Sequence, residues 1–269
     1  MTGRHVRWGG SAAAIIALVC SCSGGPDPRP AAAYPPVAND GDAVFFVGNS
    51  FFDWQGRALP QWVAALGASL SPPTHLDVGG DIVPGEAPLA DFLGHAALNE
   101  ALASGEYDVF VVQGYELEPV DDKADFHASV RELDRRVRAA GGRTVLFMTW
   151  DFHFRPFIDE LAASYDEIGR ELAVPVIPAG LVHADCGRSP PHGEPRHWLT
   201  ADAEHPEGDL HQNAAGTAVN AYATLAVLTG RNPRGTNFTA PGNTNDDATM
   251  QYLSDMAWAR VAPRLEGAR

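Results

Sequence analysis

The chain has 269 residues, 45% of them apolar, with a formal charge of −15 and a pI of about 4.9. That is ample material for one sizeable core, and single α/β domains of roughly 200–250 residues are common. An acidic surface argues against nucleic acid or an anionic membrane surface as the main partner, since both carry charge of the same sign.

The first residues read as an export signal. Arg4, His5 and Arg7 form a basic start, and Trp8 to Val19 is mostly apolar and small, without acids, and too short for a mature membrane-spanning helix. The stretch ends in Val19-Cys20-Ser21-Cys22-Ser23-Gly24-Gly25, which resembles a bacterial lipobox. Cys22 is the expected site of lipidation, because small Ser21 precedes it whereas branched Val19 precedes Cys20. Residues 1–22 are therefore expected to be a signal segment, and the mature protein to lie in the cell envelope, touching the membrane through its lipid anchor only. An ordinary secretory peptide cleaved nearby would release it as a secreted or periplasmic protein. Residues 23–41 contain Pro26, Pro28, Pro30, Pro35 and Pro36 and read as a tether. Residues 42–269 read as one domain. Once Cys20 and Cys22 are removed or acylated, Cys186 is alone, so no intramolecular disulfide is expected, and it reads as a small buried hydrophobe.

Within the domain, apolar runs alternate with helical patterns. Ala43–Gly48 is a predicted strand that ends in Gly48-Asn49-Ser50, with a helix over Leu59–Leu70 carrying Leu59, Trp62, Val63 and Leu66 at three- and four-residue spacing. His75–Val78 is a short strand leading into Gly79-Gly80, followed by a helix over Leu89–Leu102. Asp108–Gln113 reads as a fully buried strand and Ala124–Ala140 as a charged amphipathic helix closed by Gly141-Gly142. Arg143–Trp150 is a strand, Phe157–Leu172 a helix and Val174–Ile177 a strand. Helices over Ala214–Leu228 and Asp246–Leu265 complete the chain. Five strands alternating with helices imply a parallel sheet covered on both faces, a three-layer α/β/α sandwich. Right-handed crossovers put every carboxyl end on one edge, where Ser50, Gly79-Gly80, Gln113 and Trp150-Asp151 would gather.

That edge could carry acyl-transfer chemistry. A serine needs a base to become nucleophilic, and His211, at the entrance to a helix behind a polar loop, is the best candidate. Asp209 is the nearest acid to orient the imidazole, with Glu207 and Asp202 as substitutes. The oxyanion formed on attack would be met by the Ser50 N–H at the helix entrance, an N–H of Gly79 or Gly80, and the Gln113 side-chain amide.

At these residues the chain resembles the SGNH, or GDSL-like, hydrolase superfamily, and within it an uncharacterised bacterial lipoprotein branch. Gly48-Asn49-Ser50 corresponds to the family's Gly-Asp-Ser turn, Gly79-Gly80 to its glycine block, Val112-Gln113-Gly114 to its asparagine block, and His211 with Gly216 to its carboxyl-terminal Asp-x-x-His block. Phe46-Val47-Gly48-Asn49-Ser50-Phe51, Phe147-Met148-Thr149-Trp150 and Leu228-Thr229-Gly230-Arg231-Asn232-Pro233 look like the branch. The resemblance implies a flavodoxin-like fold and a serine esterase that needs no cofactor and acts on a small-molecule or glycan ester. It implies Ser50 as nucleophile, His211 as base, and Ser50, Gly79, Gly80 and Gln113 around the oxyanion. The chain departs from the pattern at the acid: Gly208 stands three places before His211, and Asp209 comes one place late.

Other readings compete with this one. Ser50 could cap a following helix, and the same crevice could bind a glycan or peptide without turnover. The stretch from His183 to His211 holds His183, Asp185, Cys186, His192, His197, His205 and Asp209, but its spacings match no common zinc pattern, so it reads as a polar loop over the active edge rather than a metal site. Phe51, Phe52, Trp54, Tyr115, Trp150, Phe152 and Phe154 could form a sugar- or acyl-binding rim, with Phe51 and Phe52 equally suited to the core. Asp53, Glu116 and Asp151 could position a polar substrate.

Overall fold

The computed structural model describes residues 33–85 and 87–265. The signal segment with Cys22, and most of the tether, lie outside the described residues. Strand β1 (Ala43–Gly48) is followed by a small hairpin, β2 (Asp53–Trp54) and β3 (Arg57–Ala58), and then by α1 (Leu59–Ser69). After β4 (Asp77–Ile82) come α2 (Leu89–Phe92), α3 (Ala96–Ser104), β5 (Val109–Val112), α4 (Glu118–Asp121) and α5 (Lys123–Ala139). The chain continues through β6 (Arg143–Phe147), α6 (Ile158–Leu172), β7 (Val176–Ile177), α7 (Ala179–Arg188), α8 (Ala214–Thr229) and α9 (Asp247–Val261).

The sheet has five strands in the order β4-β1-β5-β6-β7, all parallel. This is the flavodoxin-like arrangement, and it explains the composition of the strands. Central β1 and β5 are covered on both faces and are buried almost throughout, so they are continuous runs of Val and Phe. Right-handed crossovers set α1 and α8, which pack on each other, against one face, and α3, α5 and α6 against the other. Winding reverses between β1 and β5, so a crevice opens beyond their carboxyl ends. Ser50 leaves β1 at that point.

Helix α8 is buried along its length except at Ala214. Its run of Ala, Gly and Thr permits this, because a β-carbon on Gly216 would run into the Leu199 carbonyl. Asn213 caps the helix, accepting from the N–H groups of Ala215 and Gly216 at 2.9 and 3.0 Å.

Several boundaries differ from the sequence expectation, each for a visible reason. The folded body takes in residues ahead of Asp42: Val37 and Ala38 are buried, and their N–H groups donate to the Leu228 carbonyl at 2.8 and 2.7 Å. A hairpin separates Ser50 from α1, so Ser50 neither caps nor opens a helix. Gln55 and Gly56 both have positive φ, 54° and 75°, as the tight hairpin turn requires. The helix expected over Leu89–Leu102 is two helices, α2 and α3, parted around Gly94. Helix α7 occupies the start of the stretch expected to be a loop over the active edge.

Candidate active site

Asn49 shapes the turn that presents Ser50. Its Oδ1 accepts from the Phe51 N–H at 3.0 Å, and its carbonyl accepts from the Phe52 N–H at 2.9 Å. The side chain thus mimics a backbone turn, which is why an Asn can stand in this position. Phe51 and Phe52 are fully buried, Phe51 stacked on Trp150 at 4.6 Å and Phe52 edge-on to Phe147 at 5.0 Å. Ser50 is pinned between that turn and these anchors. Its N–H meets no acceptor among the described residues and is free to serve a ligand.

Ser50 Oγ lies 2.8 Å from Nε2 of His211, a residue 161 positions away. The histidine is held through its neighbours. Trp150 Nε1 donates to the Leu210 carbonyl at 2.9 Å, Gln212 Nε2 donates to the Phe51 carbonyl at 3.0 Å, and an Arg57 guanidinium nitrogen donates to the Gln212 carbonyl at 3.1 Å. Trp54, at the tip of the hairpin, stacks on the imidazole with ring centroids 3.5 Å apart and planes within 5°. Phe51 meets the ring edge-on at 5.6 Å. Burial pushes the His211 pKa below its ordinary value, opposed by the negative charge of Asp209. The ring is therefore neutral at neutral pH, and in the tautomer with its proton on Nδ1 it accepts from the Ser50 hydroxyl, the arrangement a general base needs.

Three expected partners fall elsewhere. Asp209 makes no hydrogen bond to His211. Its carboxylate points to His205, 3.8 Å from Nδ1, and its N–H donates to the Thr200 carbonyl at 3.0 Å. The substitutes fare no better: Asp202 accepts from the N–H groups of Glu204 and His205, and Glu207 lies 3.9 Å from His153. Among the described residues no acceptor bonds His211 Nδ1. The family position for the acid is closed by geometry. Gly208 has φ of 115°, and a β-carbon there would sit 2.6 Å from His197 Cβ. Gly208→Asp is accordingly expected to cost about 1–3 kcal/mol of stability in urea unfolding and to bring no rise in kcat. A rise would show that the loop accepts an acid.

Gly79 and Gly80 do not follow a strand end. They lie inside β4, in register with Phe45 and Phe46 of β1. They are glycines because Tyr107 packs onto Gly79 and the Phe46 carbonyl lies 2.9 Å from where a Gly80 β-carbon would be. Gln113 is absent from the lining of the Ser50 pocket, and its amide is engaged elsewhere. Its Nε2 donates to Asn49 Oδ1 at 2.7 Å and to the Gly114 carbonyl at 3.1 Å, and its side chain lies where a Gly48 β-carbon would otherwise be. Its role is to brace Asn49, whose Nδ2 in turn donates to Glu116 Oε1 at 3.3 Å.

Ser50 is only 6% exposed, yet it opens on a pocket of about 440 Å³ at the switch point. The walls are Trp54, Leu117, Phe152, Phe154, Leu210 and the turn Pro84-Gly85, with Tyr115, Glu116 and His211 completing them. The Val83 N–H donates to the Gly48 carbonyl at 3.0 Å and leads that turn past the end of β1. Sequence reasoning missed Gly85, and the Pro-Gly pair after an apolar residue was the signal for it. Of the expected aromatic rim, Trp54, Tyr115, Phe152 and Phe154 line the pocket, whereas Phe51, Phe52 and Trp150 belong to the core. Asp151 turns away into a separate small cavity with His183, Arg196 and His197, where burial raises its pKa. Asp53 is exposed.

Of the metal-capable side chains described in the 183–211 stretch, a single group forms a cluster, and His183 is outside it. His183 is buried, stacked on Trp150, and donates from Nε2 to Asn220 Oδ1 at 3.0 Å, its pKa pushed down to about 3 by burial. Among the described residues, Asp202, His205 and Asp209 alone bring their ligand-type atoms together, on the surface.

No protein-family model and no curated protein sequence matches this chain. Solved structures do. A DUF4886 family protein from Bacteroides uniformis superposes with a TM-score of 0.63 at 18% identity, covering 84% of this chain and 97% of that one. A protein of Slackia heliotrinireducens described as an SGNH hydrolase gives 0.55 at 18%, covering 70% and 98%. An acetylxylan esterase from Geobacillus stearothermophilus gives 0.54 at 15%, covering 76% and 99%. At such identities the likeness establishes the fold, which is that of the SGNH hydrolases.

Proposed function

We propose that this protein hydrolyses carboxylic esters with a Ser50–His211 dyad, the imidazole being oriented by Trp54 rather than by a carboxylate. The observation that carries the reading is the 2.8 Å contact between Ser50 Oγ and His211 Nε2 at the floor of a pocket on the sheet's switch point. Resemblance to a fold that includes an acetylxylan esterase supports it.

In the proposed reaction Ser50 Oγ attacks the ester carbonyl carbon while its proton passes to Nε2. The oxyanion is met by the free Ser50 N–H, and the main-chain N–H of Gly85, a residue that lines the same pocket, is assigned as the second donor. Collapse breaks the carbon–oxygen bond to the alcohol, which leaves with the proton from Nε2. Water, deprotonated by the same nitrogen, then attacks the acyl-serine and releases the carboxylic acid and Ser50.

A fluorophosphonate probe tests this directly. Stoichiometric phosphonylation of the native protein, absent in Ser50→Ala, is the expected result. A native protein left unmodified would favour a crevice that binds ligand without turnover, the reading that the unpartnered His211 Nδ1 keeps in play.

A further inference from the structure

We infer that the pocket beside Ser50 takes an ester with an extended apolar group, a medium-length alkyl chain or an aromatic ring, in preference to a small acetyl ester. This rests on the Ser50–His211 reading and specifies its substrate class. A cavity of about 440 Å³ falls within the range of ligand sites for whole small molecules and far exceeds the needs of one methyl group. Its walls beyond the dyad are largely hydrocarbon: Trp54, Leu117, Phe152, Phe154 and Leu210.

Phe154 makes the case specific. It is 60% exposed, and no other large hydrophobic among the described residues is exposed. A single exposed ring is ordinary on a protein surface, but this one also lines the pocket beside Ser50, where a ligand would cover it. Nor is the ring merely loose on the surface. It stacks on Phe152 at 5.2 Å, and Phe152, itself buried, packs edge-on against Phe157 at 5.2 Å. The turn carrying it is closed by paired backbone bonds between Phe152 and Arg155, both 3.2 Å. Arg155 then grips Asp121 through two charge-assisted bonds of 2.9 and 2.6 Å. A rigid aromatic shelf at the mouth of a pocket, fixed before ligand arrives, binds apolar matter at little conformational cost.

The apolar group could sit on the acyl or on the alcohol side of the ester, and two substrate series separate these. One is para-nitrophenyl acetate, butanoate, hexanoate and octanoate. The other is ethyl, hexyl, octyl and benzyl acetate. Each methylene seated on the wall is expected to raise kcat/KM by up to about fourfold, so at least one series should climb tenfold or more from its smallest member. The series that climbs identifies the side. Phe154→Ser, a change at an exposed ring, is expected to reduce the ratio of the best to the smallest substrate by about threefold to tenfold. If both series stay flat while fluorophosphonate still labels Ser50, the dyad stands and this inference falls. If no ester is turned over and no label is taken, both readings fall together.

Discussion

Replacing His211 with alanine is expected to lower kcat for ester hydrolysis by about 10²–10⁴-fold, the usual contribution of a positioned general base, while Asp209→Asn changes it by no more than about fivefold. The asymmetry follows from the contacts. His211 Nε2 is 2.8 Å from the nucleophile, whereas the Asp209 carboxylate reaches the imidazole only as a field, through partly exposed surroundings that screen it. Where a carboxylate does hold the imidazole, converting it to the amide costs about 10⁴-fold because the ring settles in the wrong tautomer. Here the tautomer is not set by Asp209, so that penalty does not arise. Steady-state kinetics on one para-nitrophenyl ester, with thermal melts to confirm folding, decide the matter. A hundredfold loss in Asp209→Asn would mean that the 202–211 loop rearranges around substrate to bring the acid to Nδ1, and the dyad description would have to be abandoned.

The contrast between what the sequence revealed and what it hid has a physical pattern. The sheet was legible because β1 and β5 are buried almost throughout and read as unbroken apolar runs, and β6 does the same from Val145 to Phe147. Ser50 and His211 were legible because each sits in a polar break between such a run or helix and the next element. Strand β4 was cut short because Asp77-Val78-Gly79-Gly80-Asp81-Ile82 is an edge strand, tolerant of glycine and charge, and its glycines are demanded by Tyr107 and Phe46 rather than by an oxyanion. Gln113 was misassigned because its position at a strand end fixes where the residue is, while the direction of its amide depends on Asn49, 64 positions earlier. Asp209 failed for a backbone reason: the positive φ of Gly208 turns the loop so that the next side chain faces His205. The hairpin that carries Trp54 escaped notice because its strands have two residues each, and Gln55-Gly56 is a weaker signal than the Asn-Gly pair that usually marks such turns.

Trp54→Ala is expected to reduce kcat by about 10–100-fold, with Trp54→Phe recovering most of the loss. Two effects combine. The indole lies flat against the imidazole at 3.5 Å, so it fixes the ring plane that a carboxylate would otherwise fix, and misorientation of a base commonly costs up to about 10²-fold. When His211 takes the serine proton, the same face meets an imidazolium, and a cation over a tryptophan is worth about 0.5–2 kcal/mol. That stabilisation appears only once charge develops, so it belongs in kcat rather than in KM. The pH profile separates a positioning role from a merely structural one. Burial holds the His211 pKa below its ordinary 6.5, and the base works only when neutral, so native activity should persist below pH 6.5 and be lost as pH falls through the lowered pKa. Removing the indole takes away the cation–π support, which alone would lower the pKa, but it also admits water to the ring face; burial is the largest cause of the depressed pKa, so on balance the acid limb of kcat/KM should move upward toward 6.5. Phenylalanine, which keeps an aromatic face there, should leave the limb near its native position. A Trp54→Ala protein that keeps kcat within twofold and an unshifted acid limb would show that the hairpin merely covers His211, and the orientation of its ring would need another source.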